Sequence, residues 1–161
     1  MPPLPPTALL LGLAGLLPFL GCAGGALLLQ GDKAAAYLSA LIAYGAVILG
    51  FVGAVHWGFA LLLNPAVPGQ KLMAAKRLAG GVVPALIGWS ALLLHAALGA
   101  TAALLLLLGG FIGTLYVEQG IARRGGLPRG YMVLRWALSV GALLCLGLTT
   151  IVRILGLRLI F

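Results

Sequence analysis

His56-Trp57 is the pair of neighbours best suited to chemistry in a chain that holds little of it. An imidazole titrates near neutral pH and can also bind a metal, and an indole beside it adds one N–H donor and a broad apolar face. Glu118 stands beside Tyr116 and Gln119, Arg135 precedes Trp136, and Arg77 closes a Lys76-Arg77 run. A Glu118–Arg135 or Glu118–Arg77 pair would tie helix ends together. The same groups could instead form a polar pocket that holds an anionic head group or moves a proton. Ser39, Ser90 and Ser139 read as small residues suited to helix packing, and Cys22 and Cys145 as isolated thiols without a CxxC neighbour. Phe19-Leu20-Gly21-Cys22 loosely resembles a lipoprotein processing site. The opening residues lack the Lys or Arg of a signal-peptide n-region, so Cys22 reads as an ordinary thiol in the first span. No glycine-rich phosphate loop with lysine, Cys/His ligand cluster or nucleophile elbow occurs. The reading leans away from an enzyme and expects no catalytic residue, no cofactor and no metal.

The elements that must position these groups follow from composition. Hydrophobic residues make up 63% of 161, there are 25 glycines, and charged residues are 7%. A soluble domain carries about 25% charged residues. Ten bases and two acids cannot cover a soluble surface, and the mean hydropathy is +1.20. Soluble enzyme, disordered chain and disulfide scaffold are excluded. The chain reads as an all-α membrane protein, a compact bundle of five transmembrane helices forming one domain over 1–161. The net charge of +8 comes from bases between apolar runs. It points to anionic lipid rather than nucleic acid, since no RNA-binding motif accompanies it.

The spacing predicts spans at 7–29, 36–63, 78–95, 99–117 and 136–157. Gln30 to Lys33 closes the first, and Asn64-Pro65 stops the second. Residues 78–117 contain no Asp, Glu, Lys or Arg, which is too long for one span and right for two, with a break between His95 and Thr101. Asn64–Arg77 and Glu118–Arg135 read as loops, the latter with turn signals at Gly125-Gly126 and Pro128. Five spans place the termini on opposite sides. Lys71, Lys76, Arg77, Arg123, Arg124, Arg129 and Arg135 share the N-terminal side, against Lys33, Arg153 and Arg158. The positive-inside rule then predicts a cytoplasmic N-terminus and a periplasmic C-terminus. Asp32 and Glu118 fall on opposite sides, so paired-carboxylate catalysis fails. His56 lies roughly 10 Å from the inner end of its span, and His95 about 15 Å further across, too far apart for one haem iron.

Small residues let helices approach closely in lipid. Ala46, Gly50, Ala54 and Gly58 form a ladder on the second span, widened by Gly45 and Gly53. Gly81, Pro84 and Gly88 line up with Arg77 and His95 on the third. Ala102, Gly109, Gly113, Tyr116 and Gly120 line up on the fourth.

Four segments carry a family likeness: Leu11 to Phe19, Tyr44 to Gly58, Val83 to Trp89, and Leu134-Arg135-Trp136. Together they resemble a family of small bacterial inner-membrane proteins catalogued as a domain of unknown function, with a mitochondrial relative in animals called transmembrane protein sixty-nine. The resemblance implies a five-span bundle in an energy-transducing inner membrane. It puts weight on Tyr44, His56, Trp57, Pro84 and Arg135 and implies no particular activity. The residues set for ligand or partner contact are therefore Tyr44, His56, Trp57, Arg77, Pro84, Glu118, Arg135 and Trp136. The expected role is that of a non-enzymatic accessory or assembly subunit, packed against other membrane subunits or against itself. The rival is a binder or carrier of a lipophilic molecule (quinone, porphyrin or lipid) in a pocket near the cytoplasmic leaflet.

Overall fold

The computed structural model describes residues 6–123, 127 and 129–156, with only the backbone of Arg129. Arg124, the turn signals at Gly125-Gly126 and Pro128, residue 157 and Arg158 lie outside the described residues. Among the described residues the regular structure is helical. In chain order it is α1 (Pro6–Ala14), α2 (Leu17–Leu28), α3 (Gly31–Leu61), α4 (Gln70–Leu98), α5 (Ala100–Arg123) and α6 (Arg129–Ile154). With α1 and α2 taken as one segment, five helical segments are long and apolar enough to cross a membrane. The all-α bundle read from the sequence is the architecture found.

The first segment is not one continuous helix. Pro18 lies in the first turn of α2 and has no N–H for the carbonyl four residues back. The chain turns at Gly15-Leu16, and the Tyr44 hydroxyl donates to the Gly15 carbonyl at 2.8 Å. Tyr44 thus braces the break. α3 begins at Gly31 rather than near residue 36, and places Asp32 in its first turn, where a carboxylate suits the helix dipole.

α4 starts at Gln70, so the expected loop to Arg77 is shorter. Lys71, Lys76 and Arg77 ride on its first turns, where long basic side chains can reach the interface. One residue, Gly99, joins α4 to α5 at φ +91°, a conformation open to glycine, inside the expected break. α5 runs past Glu118, and α6 starts before Arg135. Both groups therefore sit inside helices, not in the loop their charge suggested.

α3 lies at the centre, packed on α2, α4 and α5, while α6 packs on α5 and α2. The core gathers Phe19, Leu41, Ile42, Leu49, Leu104, Leu107, Phe111 and Leu146. Phe19 meets Tyr44 and Phe111 edge-on, with ring centroids 4.9 and 6.1 Å apart. Buried Thr114, Thr149 and Thr150 donate to carbonyls four residues back in their own helices, so these hydroxyls are satisfied without water.

The α3–α4 seam is backbone against backbone. A Cβ on Gly88 would stand 2.6 Å from the Ala46 carbonyl oxygen, and one on Gly81 2.7 Å from that of Gly53. The Pro84 ring packs beside Gly53, Gly50 faces Ala85, and Gly45 faces Leu107 of α5. Ala54 and Gly58 are exposed and fall outside this seam. Each four-residue step turns about 40° around the helix, while a seven-residue step returns within about 20°. The seam therefore follows Ala46, Gly53 and Trp57, and the expected ladder drifts off it.

The same correction applies to α5. It buries Ala103, Leu107, Gly110, Phe111, Thr114 and Glu118. Gly109, Gly113, Tyr116 and Gly120 lie on the other side of the helix, and a Cβ on any of these glycines meets open space among the described residues. Gly110 makes the close approach instead, where a Cβ would stand 2.7 Å from Leu49 and 2.8 Å from Ile87.

Candidate functional site

Glu118 is fully buried, with 0% of its surface exposed. Its Oε2 accepts from Arg135 Nε at 2.6 Å, and its Oε1 accepts from the Tyr131 hydroxyl at 3.1 Å. Arg135 Nη1 donates to Ser139 Oγ at 2.8 Å. Tyr131, Arg135 and Ser139 follow at four-residue steps on α6, and side chains at that spacing share a face. α3 contributes His56, 8% exposed, whose Nδ1 stands 4.0 Å from Glu118 Oε1. That contact is too long for a hydrogen bond.

The layer has a common depth. Glu118 lies five residues from the end of α5, Arg135 six from the start of α6 and His56 five from the end of α3. At about 1.5 Å per residue each sits some 8–9 Å inside its helix. A lone charge there would be costly, and two opposite charges with further donors hold one another in place.

Around this core stand larger side chains. The Phe59 ring meets Tyr131 edge-on at 5.7 Å, and the Arg77 guanidinium carbon lies 6.0 Å from the Phe59 ring centroid. Trp57 is 46% exposed and donates from Nε1 to the Leu78 carbonyl at 3.0 Å, across the α3–α4 seam. Trp136 donates to Gln119 Oε1 at 3.0 Å.

Of the residues singled out from sequence, His56, Glu118 and Arg135 meet directly, and Arg77 stands behind Phe59. Trp57 and Trp136 flank the layer from half-exposed positions. Tyr44 is elsewhere, at the α1–α2 break, and Pro84 lies on the α3–α4 seam. Tyr131, Ser139 and Phe59 were missed. The four-residue spacing of Tyr131, Arg135 and Ser139 was the available signal, hidden because residues before Trp136 read as loop. His95 occupies the far end of α4, with Nε2 3.0 Å from Ser39 Oγ near the start of α3. Beside the ion pair a cleft of about 470 Å³ opens between α1, α2, α3 and α6. Among the described residues no three of His, Cys, Asp and Glu gather as a metal site would require.

Five long apolar segments around a buried ion pair, with leucines, valines and aromatics on the outer surface, define a multi-pass helical membrane protein. Within that class, the chain belongs to the family described as "Protein of unknown function (DUF3429)", whose model matches residues 4–151. It is also similar to Transmembrane protein 69 of Xenopus tropicalis, at 38% identity over 146 residues, 88% of this chain and 53% of that protein. The chain spans about half the length of this curated relative. No solved structure matches. The family resemblance carried by Tyr44 to Gly58 and its companion segments therefore holds.

Proposed function

We propose that this protein is a non-enzymatic accessory or assembly subunit of an inner membrane, docked through α5 and α6 onto a larger membrane complex. The observation that carries this reading is the outer α5–α6 face. A groove of about 560 Å³ runs there, lined by Ile112, Tyr116, Gly120, Trp136 and Leu143 among others. Gly109 and Gly113 extend the small-residue surface along α5, with no other element among the described residues within 4 Å of an added side-chain carbon. Small residues that face lipid let another helix approach closely, and large ones would hold it off. The inward polar layer supports the same reading, because its hydrogen bonds tie α5 to α6 inside the bundle.

In this reading the N-terminus is cytoplasmic and the C-terminus periplasmic, and basic side chains on the cytoplasmic side meet anionic lipid. Arg135 leaves the tally, being ion-paired inside the bundle, and six bases still stand against three. The test is gentle solubilisation followed by mass spectrometry of what co-purifies. The wild-type chain should bring down a stoichiometric membrane protein, and Gly113→Leu should lose it while melting normally in detergent. A protomer that purifies alone, or a partner that survives Gly109→Leu and Gly113→Leu together, would overturn the reading.

A further inference from the structure

A second surface, lined by α6 residues other than those that line that groove, has the features of a small-molecule site. We propose that the cleft between α1, α2, α3 and α6 binds a neutral, quinone-sized lipophile through a ring carbonyl, with the Arg135 guanidinium as the donor.

The walls set the first condition. The cleft volume of about 470 Å³ falls among ordinary ligand sites, which run from about 300 to 1,000 Å³. Leu16, Phe51, Val55 and Leu138 line it, and Tyr131 and Arg135 are its polar members among the described residues. Gly12 and Gly15 thin the α1 wall beside the helix break. Leu11 and Phe51, 75% and 68% exposed, form an edge open to the outer surface of the bundle. A lipophile could enter from the bilayer, but a two-chain glycerolipid is too bulky for this space.

The donors set the second. Arg135 is 7% exposed and carries five N–H groups. Nε is taken by Glu118 and Nη1 by Ser139, while Nη2 is buried without a hydrogen-bond partner and with almost no exposed surface, so a ligand carbonyl reaches it only as the side chains between it and the cleft part. Buried polar nitrogens of proteins nearly always have one. The Tyr131 proton is committed to Glu118, so the arginine is the donor left on this wall.

The charges set the third. Glu118 already neutralises Arg135 at 2.6 Å, and no second cation lines the cleft among the described residues. An anionic head group would bring in an unbalanced charge. A hydroxyl could accept from the arginine, but its own proton would need an acceptor on walls that are otherwise apolar. An uncharged acceptor, as in a ketone or quinone carbonyl, fits the unpartnered nitrogen without either cost.

The test uses the full chain in detergent and equilibrium dialysis with four probes. These are a decyl-substituted benzoquinone, a fatty acid of similar length, a diacylglycerol and a plain alkane. The quinone should bind once per protomer and at least tenfold more tightly than the other three. Arg135→Lys keeps a cation for Glu118 but loses the planar donor fork, and should weaken quinone binding tenfold or more. Ala8→Phe fills the α1 wall away from the ion pair and should do the same with an unchanged melting curve, so the proposal remains testable if Arg135→Lys fails to fold. Equal binding of the alkane would mean apolar partition alone and would overturn the proposal. So would preference for the fatty acid or the diacylglycerol, or undiminished quinone binding in Ala8→Phe. None of these failures touches the α5–α6 docking face, which is read by partner recovery.

Discussion

Arg135 and Glu118 illustrate how little charge a membrane interior tolerates and how firmly it holds what it keeps. Replacing Arg135 with Ala would leave a fully buried carboxylate with one tyrosine donor, and breaking a buried pair in this way costs about 3–5 kcal/mol. Arg135→Ala and Glu118→Ala should each lower the melting temperature in detergent strongly. The double replacement by Gln should recover much of the loss, because no unpaired charge remains. Single variants that melt like the wild type would show that the pair does not hold the bundle. Charge scarcity made both residues visible in the sequence, since Glu118 is one of two acids and Arg135 one of ten bases in 161 residues. Tyr131 and Ser139 were not visible, because their chemistry is common and only their position on a helical face with Arg135 gives them a role.

At the scale of the element, the informative contrast is between glycines that touch backbone and glycines that touch nothing. Gly81→Ala and Gly88→Ala would push α4 off α3 against carbonyl oxygens that cannot move aside as a side chain could. Overpacking of that kind costs about 1–3 kcal/mol. Gly109→Ala and Gly113→Ala should leave the stability of the isolated protomer unchanged, or raise it slightly through helix propensity. Ala54→Leu should also be tolerated, because Ala54 is exposed, whereas Gly50→Leu would meet Ala85. Thermal melts of these variants side by side check the assignment, and equal losses at Gly88 and Gly113 would refute it. Helix number and approximate limits were legible from the apolar runs. The buried face was legible on α4, where Gly81, Pro84 and Gly88 already cluster on one arc. On α3 and α5 glycine itself misled, because a membrane helix can place small residues toward a neighbour in its own chain or toward lipid. Spacing alone does not tell these apart.

For the whole molecule, the proposed orientation rests on where the bases end up. A reporter active only in the cytoplasm should work when inserted within Gln70–Arg77, on the first turns of α4, and fall silent after Phe161. The reverse pattern would invert the topology and move the polar layer to the periplasmic half. Span count was the part most plainly written in the sequence, since apolar length is a property of composition. The depth of the polar layer was less so, because it depends on where α5 ends and α6 begins, and both run further than hydropathy alone indicates. That overrun bears on how the protein is made. While α5 enters the bilayer alone it carries an uncompensated carboxylate, and α6 alone carries an uncompensated guanidinium. Each costs roughly 2.5–3.5 kcal/mol near a helix centre and less near an end. Delivered together they cancel. The last two helices are thus suited to leave the insertion machinery as a preassembled hairpin, with Glu118 waiting at the channel for Arg135 to be synthesised.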